Sequence, residues 1–339
     1  MLLLSIETSC DETAAAVVQD GRKILSSIVS SQIDTHAFYG GVVPEIASRQ
    51  HLETILPVIE QALAAAGNSI ADIEGVAVTR GPGLIGALLV GVSTAKGIAL
   101  GRRIPLVGVN HIESHLLAIL LEQEVEFPFI ALVVSGGHTH LYEVKGIGDY
   151  QTVGQTIDDA AGEAFDKVAK LFGISYPGGA VIDRLAKEGD PLSIRFPRPL
   201  LHDKSLNFSF SGLKTAVLTH IKNHPDSQIN DLAASFQAAV CELLVAKTAE
   251  AVKRSGFKRV VVAGGVACNS GLRGAMQQFS QKSGVNIYFP SPSLCADNAA
   301  MIAVPGDYYL SQGMSSLDFD AVPSWSLDLI SAHLQGKTN

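Results

Sequence analysis

The order of predicted strands and helices restricts the fold of this chain most, because the same order occurs in both halves. In each half three strands come first, and helices then alternate with strands. The first half has strands at residues 2–8, 13–18, 23–30, 75–79 and 106–109, and helices at 44–66 and 84–101. The second half has strands at residues 129–135, 139–144, 150–156, 259–263 and 286–289, and helices at 159–172, 180–187, 232–254, 270–282 and 298–312. This repeat predicts an internal duplication of a βββαβα unit, which forms two α/β lobes.

Length and composition also favour two lobes. A chain of 339 residues exceeds the size at which a single core stops growing, and 47% hydrophobic residues supply ample apolar surface. We predict an N-terminal lobe of residues 1–125 plus 300–339 and a C-terminal lobe of residues 126–299. Residues 190–215 are rich in Pro, Arg and Phe and are predicted as an insertion in the second lobe. Two lobes of this kind resemble the actin, Hsp70 and sugar-kinase (ASKHA) superfamily.

Charge and cysteine content limit the partners and the compartment. The net charge of −8 argues against coating of nucleic acid through the overall field, but it allows a local basic groove. The four cysteines, Cys10, Cys241, Cys268 and Cys295, show no CxxC spacing, which fits a reducing compartment. No signal-peptide pattern opens the sequence, and the apolar residues 84–100 are interrupted by Lys96 and three glycines. We therefore predict a cytoplasmic protein with no membrane span.

Two histidines at helical spacing form a candidate metal site. His111 and His115 follow an apolar strand, and residues four apart share one face of a helix. Imidazole nitrogens suit zinc, iron, copper or nickel. Asp297, just before the closing helix, could complete the site. The alternatives are that both rings pack beneath the helix and that Asp297 is a helix N-cap.

Three distant segments suit an adenosine phosphate. They are the glycine turn at residues 135–139, the strand-to-helix turn at residues 264–269, and residues 176–179 with the nearby carboxylates of Asp166 and Asp183. Each has a structural alternative: a plain hairpin turn, an ordinary β–α connection with Asn269 as N-cap, and solvated helix charges. The sequence has no Walker lysine motif and no GxGxxG before a helix, which disfavours P-loop and dinucleotide-binding proteins.

The sequence does not single out a general base. Asp11 and Glu12 lie in the first strand-to-strand turn, where they could bind metal-linked phosphate or polarise a nucleophile. They could equally act as capping groups in a tight turn. His138, in the glycine turn, is a third candidate.

Seven motifs in order along residues 2–310 resemble the bacterial TsaD family (also called Gcp or YgjD). They are IETSCDET at 6–13, NHIESH at 110–115, VSGGHT at 134–139, DAAGEAFD at 159–166, FSFSGLK at 208–214, GGVACN at 264–269 and DNAAM at 297–301. Members are tRNA N(6)-adenosine threonylcarbamoyltransferases. Ser5 and Ala180 depart from common family residues, but neither change removes a polar group.

The resemblance implies an ASKHA fold and transfer of threonylcarbamoyl from threonylcarbamoyl-AMP to the adenosine 3′ of the anticodon, in tRNAs that read ANN codons. It implies one divalent metal per subunit, Fe(2+) in preference to Zn(2+), on His111, His115 and Asp297. It places the adenylate on nine residues: Val134, Ser135, Gly136, Gly137, His138, Asp166, Gly179, Asp183 and Asn269. It also implies a paralogous TsaB-type subunit, packed on the helices at 44–66 and 84–101, and a small TsaE-type ATPase.

Three other classes compete with this reading. An ASKHA-type small-molecule kinase or ATPase would have no use for His111 and His115. A metallopeptidase is opposed by the spacing, because zincins use HExxH and here Glu113 lies at the centre of HxxxH. A non-catalytic scaffold is opposed by the presence of His111, His115 and Asp297 together.

Overall fold

The structure, a computed structural model, describes residues 1–330. Contacts divide the chain into two compact units. Unit 1 contains residues 1–125, 146–150 and those from 296 onward, and unit 2 contains residues 126–145 and 151–295. The predicted lobe limits differ from these units at 146–150 and 296–299 and stay a prediction. The last residues of the predicted N-terminal lobe, 331–339, lie outside the described part of the chain.

Unit 1 is built on a five-stranded mixed sheet of order β3-β2-β1-β4-β5. Its strands are β1 (Leu2–Glu7), β2 (Glu12–Gln19), β3 (Lys23–Ser31), β4 (Gly75–Gly81) and β5 (Leu106–Asn110). Strand β1 pairs antiparallel with β2 and parallel with β4, and β4 pairs parallel with β5. Because β1, β4 and β5 run parallel, their carboxyl ends meet at one edge of the sheet.

The second five-stranded sheet repeats this order as β10-β9-β6-β7-β8. Its strands are β6 (Phe129–Val134), β7 (Thr139–Gly146), β8 (Asp149–Gln155), β9 (Arg259–Ala263) and β10 (Asn286–Tyr288). Every residue of β6 is buried, as expected for a central strand covered on both faces. Since β6 to β10 occupy the places of β1 to β5, the predicted duplication is confirmed.

Eleven helices accompany the sheets in residues 1–330. They are α1 (Ile33–Tyr39), α2 (Pro44–Ala65), α3 (Ile85–Arg102), α4 (His111–Leu117), α5 (Ala161–Leu171), α6 (Gly179–Ala186), α7 (Ser211–Asn223), α8 (Ile229–Ser255), α9 (Ser270–Ser283), α10 (Pro292–Cys295) and α11 (Ala300–Ser311). The apolar spacing of α2, α3, α8 and α9 predicted their limits to within a few residues. Helices α1, α7 and α10 were not predicted. Helices α1 and α10 have only seven and four residues, and α7 follows a segment with no regular helix or strand.

The segment predicted as an insertion has no regular helix or strand from residue 190 to 210. It is nevertheless anchored, because the Phe196, Phe208 and Phe210 side chains are buried in the core of unit 2. Helix α7 begins directly after it. The Asp158 carboxylate fixes that start by accepting hydrogen bonds from the Phe210 N–H at 2.8 Å and from the Ser211 hydroxyl at 3.0 Å.

Helices α3 and α8 are long and apolar enough to cross a membrane by length and composition alone. Core helices of globular units meet the same criteria, and most of α8 is buried within unit 2. Helix α3 buries one face against α2 and β4. Its other face leaves Ile85, Leu89 and Leu100 exposed, so the prediction of a buried helix holds for one side only.

Candidate active site

Three predicted metal ligands converge in unit 1. Helix α4 starts at the end of β5, so that His111 and His115 point to the same side, one turn apart. The Nε2 atom of His115 lies 3.0 Å from the Oδ1 atom of Asp297, and the Nε2 atom of His111 lies 3.7 Å from it. One donor atom from each residue falls within 4.8 Å of the other two. Two imidazoles and a carboxylate at this spacing fit a single divalent ion with open positions.

Asp297 is positioned for this role by the residue that follows it. Asn298 accepts a hydrogen bond from the Met301 N–H at 3.0 Å and so caps the first turn of α11. Asp297 faces the histidines instead, and the alternative of Asp297 as the helix N-cap is therefore wrong. Helix α11 packs against α4, β1 and β4, and this packing brings Asp297, three residues before the helix, to the site.

Glu7 orients the first histidine from behind. Its Oε2 atom lies 2.9 Å from the Nδ1 atom of His111 and accepts a hydrogen bond from the Thr79 hydroxyl at 2.6 Å. With Nδ1–H held by a carboxylate, Nε2 is the nitrogen turned toward Asp297, the arrangement that surrounds most metal-bound histidines. Burial opposes a charged ring, but Asp297 and Glu7 outweigh it and raise the pKa of His111 to about 9. The residues present thus fit a bound cation, whose charge would replace that proton.

Sequence reasoning missed Glu7. A signal for it exists: Glu7 ends the apolar strand β1, in which every residue after Leu2 is buried, and a buried carboxylate needs a partner to offset its burial. Despite that burial, the His111 ring and its hydrogen bond hold the pKa of Glu7 below its ordinary value. Glu7 is thus an ionised partner of His111.

Glu113 lies on the same helix but points away from the metal ligands. Its Oε1 atom accepts hydrogen bonds from the Tyr150 hydroxyl at 2.7 Å and the Tyr309 hydroxyl at 2.5 Å. Burial raises the pKa of Glu113 to about 7, against the effect of both hydroxyls. We call these three residues the carboxyl–tyrosine clamp. It ties α4 to α11, and it leaves Glu113 unsuited to serve as the base of a metallopeptidase.

Removing one hydroxyl of the clamp should weaken unit 1. We expect Tyr309→Phe to lower the free energy of unfolding by about 1–2 kcal/mol, because a buried carboxyl loses a hydrogen-bond donor. The corresponding fall in the thermal midpoint is roughly 2–5 °C, measurable by scanning calorimetry. Tyr308→Phe, at the partly exposed neighbouring position, is the matched control. Equal midpoints for the two variants would contradict the clamp.

The candidate bases Asp11 and Glu12 lie at the turn between β1 and β2. Asp11 is buried, and its backbone carbonyl accepts a hydrogen bond from the Gln32 N–H at 3.0 Å. Glu12 accepts one from the Ser31 hydroxyl at 3.1 Å. Burial and the charges of Asp297 and Asp11 raise the pKa of Glu12 to about 9. A cation on Asp297 would offset that repulsion and lower the pKa again, so the role of Glu12 as a base stays a prediction.

Five of the nine residues expected to hold the adenylate line one cavity of about 330 Å³ within unit 2. They come from four segments of the chain: Gly136, Asp166, Gly179, Asp183 and Asn269. The other four, Val134, Ser135, Gly137 and His138, lie in or beside the same β6–β7 turn but are not among the lining residues. The three motifs predicted for an adenosine phosphate are therefore brought together.

In the β6–β7 turn, residues 135–138, two of the four backbone amides donate hydrogen bonds within the turn itself. The Ser135 N–H donates to the His138 carbonyl at 2.8 Å, and the His138 N–H donates to the Ser135 hydroxyl at 3.2 Å. Within residues 1–330 the Gly136 and Gly137 amides have no such partner, and they are the ones that can meet an anion. Gly264 has φ +88°, and a Cβ there would lie 2.4 Å from the Val134 carbonyl oxygen, which explains the glycine.

The polar side chains of the pocket also hold its walls together. Asn269 caps α9 by accepting from the Leu272 N–H at 2.9 Å, so its predicted alternative role as N-cap is confirmed. Asp183 accepts from the Ser270 hydroxyl at 2.8 Å, and Asp166 accepts from the Gly178 N–H at 2.7 Å. Burial raises the pKa of Asp166, although the backbone amides at Gly178 and Gly179 act against it. Contact of these side chains with an adenylate stays a prediction.

Comparison with solved structures defines the class of the fold. The HypF protein of T. kodakarensis superposes with a TM-score of 0.64 over 92% of this chain and 48% of that chain, at 14% identity. Component A of (R)-2-hydroxyglutaryl-CoA dehydratase from Acidaminococcus fermentans gives a TM-score of 0.57 over 92% of this chain and 99% of that chain, at 16% identity. With the duplicated sheets, these likenesses define a two-lobed ASKHA-type α/β protein.

Sequence comparison then gives the family. The family model described as TsaD, tRNA N6-adenosine threonylcarbamoyltransferase, matches residues 23–304. A protein of that name from Geobacter sp. (strain M21) is 68% identical over 99% of each chain. Its namesake from Geobacter sulfurreducens is 65% identical over 99% of this chain and 100% of the relative. This chain belongs to the TsaD family of tRNA N6-adenosine threonylcarbamoyltransferases, and the kinase alternative finds no support in these matches.

Proposed function

We propose that this protein transfers the threonylcarbamoyl group of threonylcarbamoyl-AMP to the N6 amine of the adenosine 3′ of the anticodon, in tRNAs that read ANN codons. AMP is released. The observation that carries this function is the 68% identity, over 99% of both chains, with a relative named for the tRNA transfer. The matched region spans the positions of all seven motifs, and therefore those of the histidine site and of the glycine-lined pocket.

The N6 amine is a poor nucleophile because its lone pair is delocalised into the adenine ring. The acyl donor must therefore be activated, and a mixed anhydride with AMP supplies a good leaving group. The task of the protein is to hold the adenylate, to orient the reacting carbonyl, and to stabilise charge on the departing phosphate. The amide of Gly136, which lines the pocket, and that of the next residue, Gly137, are suited to the phosphate.

The proposed cofactor is one divalent ion, Fe(2+) or Zn(2+), held by His111, His115 and Asp297. When bound, it supplies Lewis acidity and a template for substrate oxygens. Support comes from the donor set and from Glu7, which keeps the His111 Nε2 atom turned toward Asp297. Asn110 adds to this positioning, since its side chain accepts from the Ile112 N–H at 2.9 Å and fixes the start of α4.

Filling the pocket should block nucleotide binding. We expect Gly179→Leu to weaken binding of AMP or ATP at least tenfold, because a leucine side chain would occupy the cavity of about 330 Å³. The position tolerates a side chain: an added Cβ would meet only the Phe165 Cβ atom, at 3.8 Å. Titration calorimetry measures the effect.

Gly212→Leu is the matched control, because Gly212 also opens a helix and its added Cβ would meet only Pro199, at 3.9 Å. It should bind nucleotide as the unaltered protein does. Equal affinities for both variants would place the nucleotide elsewhere.

Transfer itself is tested by mixing the purified chain, threonylcarbamoyl-AMP and unmodified tRNA, with the partner proteins described below. Digested tRNA is then analysed for the modified nucleoside. We expect one modified adenosine for each AMP released. Phosphoryl transfer from ATP to a small molecule, with no modified tRNA formed, would favour the kinase alternative.

An exposed apolar face suggests how a partner binds. Leu52 and Leu56 on α2, and Ile85 and Leu89 on α3, are each between 46% and 66% exposed. Helices α2 and α3 pack together, so these four residues lie on neighbouring helices; we call them the α2–α3 face. Exposed apolar surface of this kind marks protein-binding sites. We propose that it binds a paralogous TsaB-type subunit, with a small TsaE-type ATPase completing the system.

A further inference from the structure

We propose that Cys268 and Cys295 form a reversible disulfide in the wall of the nucleotide pocket, and that this disulfide closes the pocket to adenine nucleotides. The second half of the proposal rests on the proposed function, because that function makes the cavity the adenylate site. Cys268 is exposed and lines the cavity immediately before Asn269. Cys295 is buried at the end of α10. The other two cysteines, Cys10 and Cys241, do not line the cavity.

Cys268 and Cys295 lie on two elements that pack together. Cys268 ends a short 3-10 turn (Gly265–Cys268), which packs against α10. Each of the two thiols shifts the pKa of the other, as neighbouring side chains do. No large backbone movement is therefore needed before the sulfur atoms can approach bonding distance.

Arg273 holds both sides of the pair. Its guanidinium donates to the Ala267 carbonyl at 2.7 Å and to the Pro290 carbonyl at 3.0 Å. It also lies 3.9 Å from the Cys295 sulfur. One side chain thus fixes the loop before each cysteine and places positive charge beside the sulfur atoms, which favours a thiolate.

The electrostatics select Cys268 as the attacking group. The hydrogen bond from Cys295 and the nearby Arg273, against the effect of partial burial, lower the pKa of Cys268 to about 6. By contrast, burial raises the pKa of Cys241 to about 12 and that of Cys10 well above its ordinary value, and the hydrogen bond to Cys268 together with burial raises the pKa of Cys295 likewise. At neutral pH Cys268 is mostly thiolate, whereas Cys10 and Cys241 remain protonated and slow to react. Its reactivity should fall as pH drops through about 6.

The chemistry needs a two-electron oxidant such as a hydroperoxide. The Cys268 thiolate attacks one peroxide oxygen, the O–O bond breaks, and a sulfenic acid and hydroxide form. Oxidation removes the Cys268 thiolate charge, which had helped to raise the pKa of Cys295. The Cys295 sulfur then attacks the Cys268 sulfur, the S–O bond breaks, and the Cys295 proton leaves with the oxygen as water. In total two thiols lose two electrons and two protons, and hydrogen peroxide becomes two waters. A dithiol reductant reverses the reaction by thiol–disulfide exchange.

The disulfide should affect the pocket because of where Cys268 sits. Joining it to the buried Cys295 draws its side chain away from the cavity surface and shifts the backbone at Asn269. Asn269 caps α9 and donates a hydrogen bond to Gln237 at 2.7 Å. Because Asn269 is held at both contacts, a backbone shift next to it is passed on to the pocket wall. We expect nucleotide affinity to fall at least tenfold on oxidation.

The test uses the full chain, reduced and then treated with hydrogen peroxide, followed by peptide mapping without reductant and by ATP titration. We expect a Cys268–Cys295 linkage, a weakened affinity, and recovery of both with dithiothreitol. Cys10→Ala, the control, should behave in the same way. Cys268→Ala should form no linkage, and its ATP affinity should not respond to peroxide.

Two results would overturn the proposal: sulfinic acid at Cys268 with Cys295 still a free thiol, or a mapped linkage with unchanged ATP affinity. Failure of the proposed adenylate site is recognised separately, on reduced protein. It appears as equal ATP affinity of the unaltered chain and Gly179→Leu, before any peroxide is added.

Discussion

His111→Ala and His115→Ala should each remove the bound metal and lower threonylcarbamoyl transfer at least about a hundredfold. Each change deletes one of three converging donors and leaves a pair too few to hold a divalent ion tightly. Metal content is measured by elemental analysis of the purified protein, and transfer by single-turnover formation of the modified nucleoside. The far-ultraviolet circular dichroism should be unchanged, since both residues lie at one end of the sheet and not in its core.

Two further variants sharpen this test. His224→Ala removes an exposed imidazole away from the site and should leave metal content intact. Glu7→Gln keeps the three donors but replaces the carboxylate that orients His111, so we expect an intermediate loss of metal affinity, about 10–100-fold. Full metal content and activity in either alanine variant of the site would show that the metal assignment is wrong.

Efficient modification should require the paralogous subunit, and Leu56→Glu should remove the effect of that subunit. A chain with net charge −8 lacks the general basic surface that supplies most tRNA affinity, so we expect poor multiple turnover by this protein alone. Introducing a charge into the α2–α3 face should cost the interface 2 kcal/mol or more, a loss of about 30-fold in affinity. Analytical ultracentrifugation measures complex formation, and the tRNA assay measures turnover.

Leu192→Glu is the matched control for the partner test. Leu192 is 88% exposed, more than Leu56 at 59%, but it lies in unit 2 and outside the α2–α3 face. It should bind the partner normally. Multiple turnover at full rate by this chain without any partner would contradict both the charge argument and the need for the subunit.

The parts of the fold that could be predicted are those whose signal is local and periodic. The apolar spacing in α2 and the continuous apolar run of β6 each identify an element without reference to the rest of the chain. Duplication then follows from the repeated order. Helix α7 escaped prediction because its start depends on the Asp158 carboxylate, 53 residues before Ser211.

The candidate site also contains residues that local sequence patterns predict and residues that depend on contacts distant in sequence. The HxxxH spacing and the glycine turns are local patterns, and they pointed to residues that the structure brings together. Glu7 contacts His111 across 104 positions, and Tyr309 contacts Glu113 across 196. No periodicity connects such pairs. The sequence also could not show which amides of residues 135–138 donate hydrogen bonds within the turn, because this depends on turn geometry and not on residue type.

The distance along the chain between the metal ligands has a consequence for how the enzyme is made. His115 and Asp297 are 182 positions apart, so the three donors meet only when nearly the whole polypeptide has left the ribosome. A nascent chain can present the histidine pair but not the third ligand, and it would hold an ion weakly. Once bound, the proposed ion would join two distant parts of the polypeptide and oppose their separation, as a cross-link does. The proposed metal would thus be acquired at a late maturation step, and its chelation should make the enzyme easier to unfold and to digest with proteases.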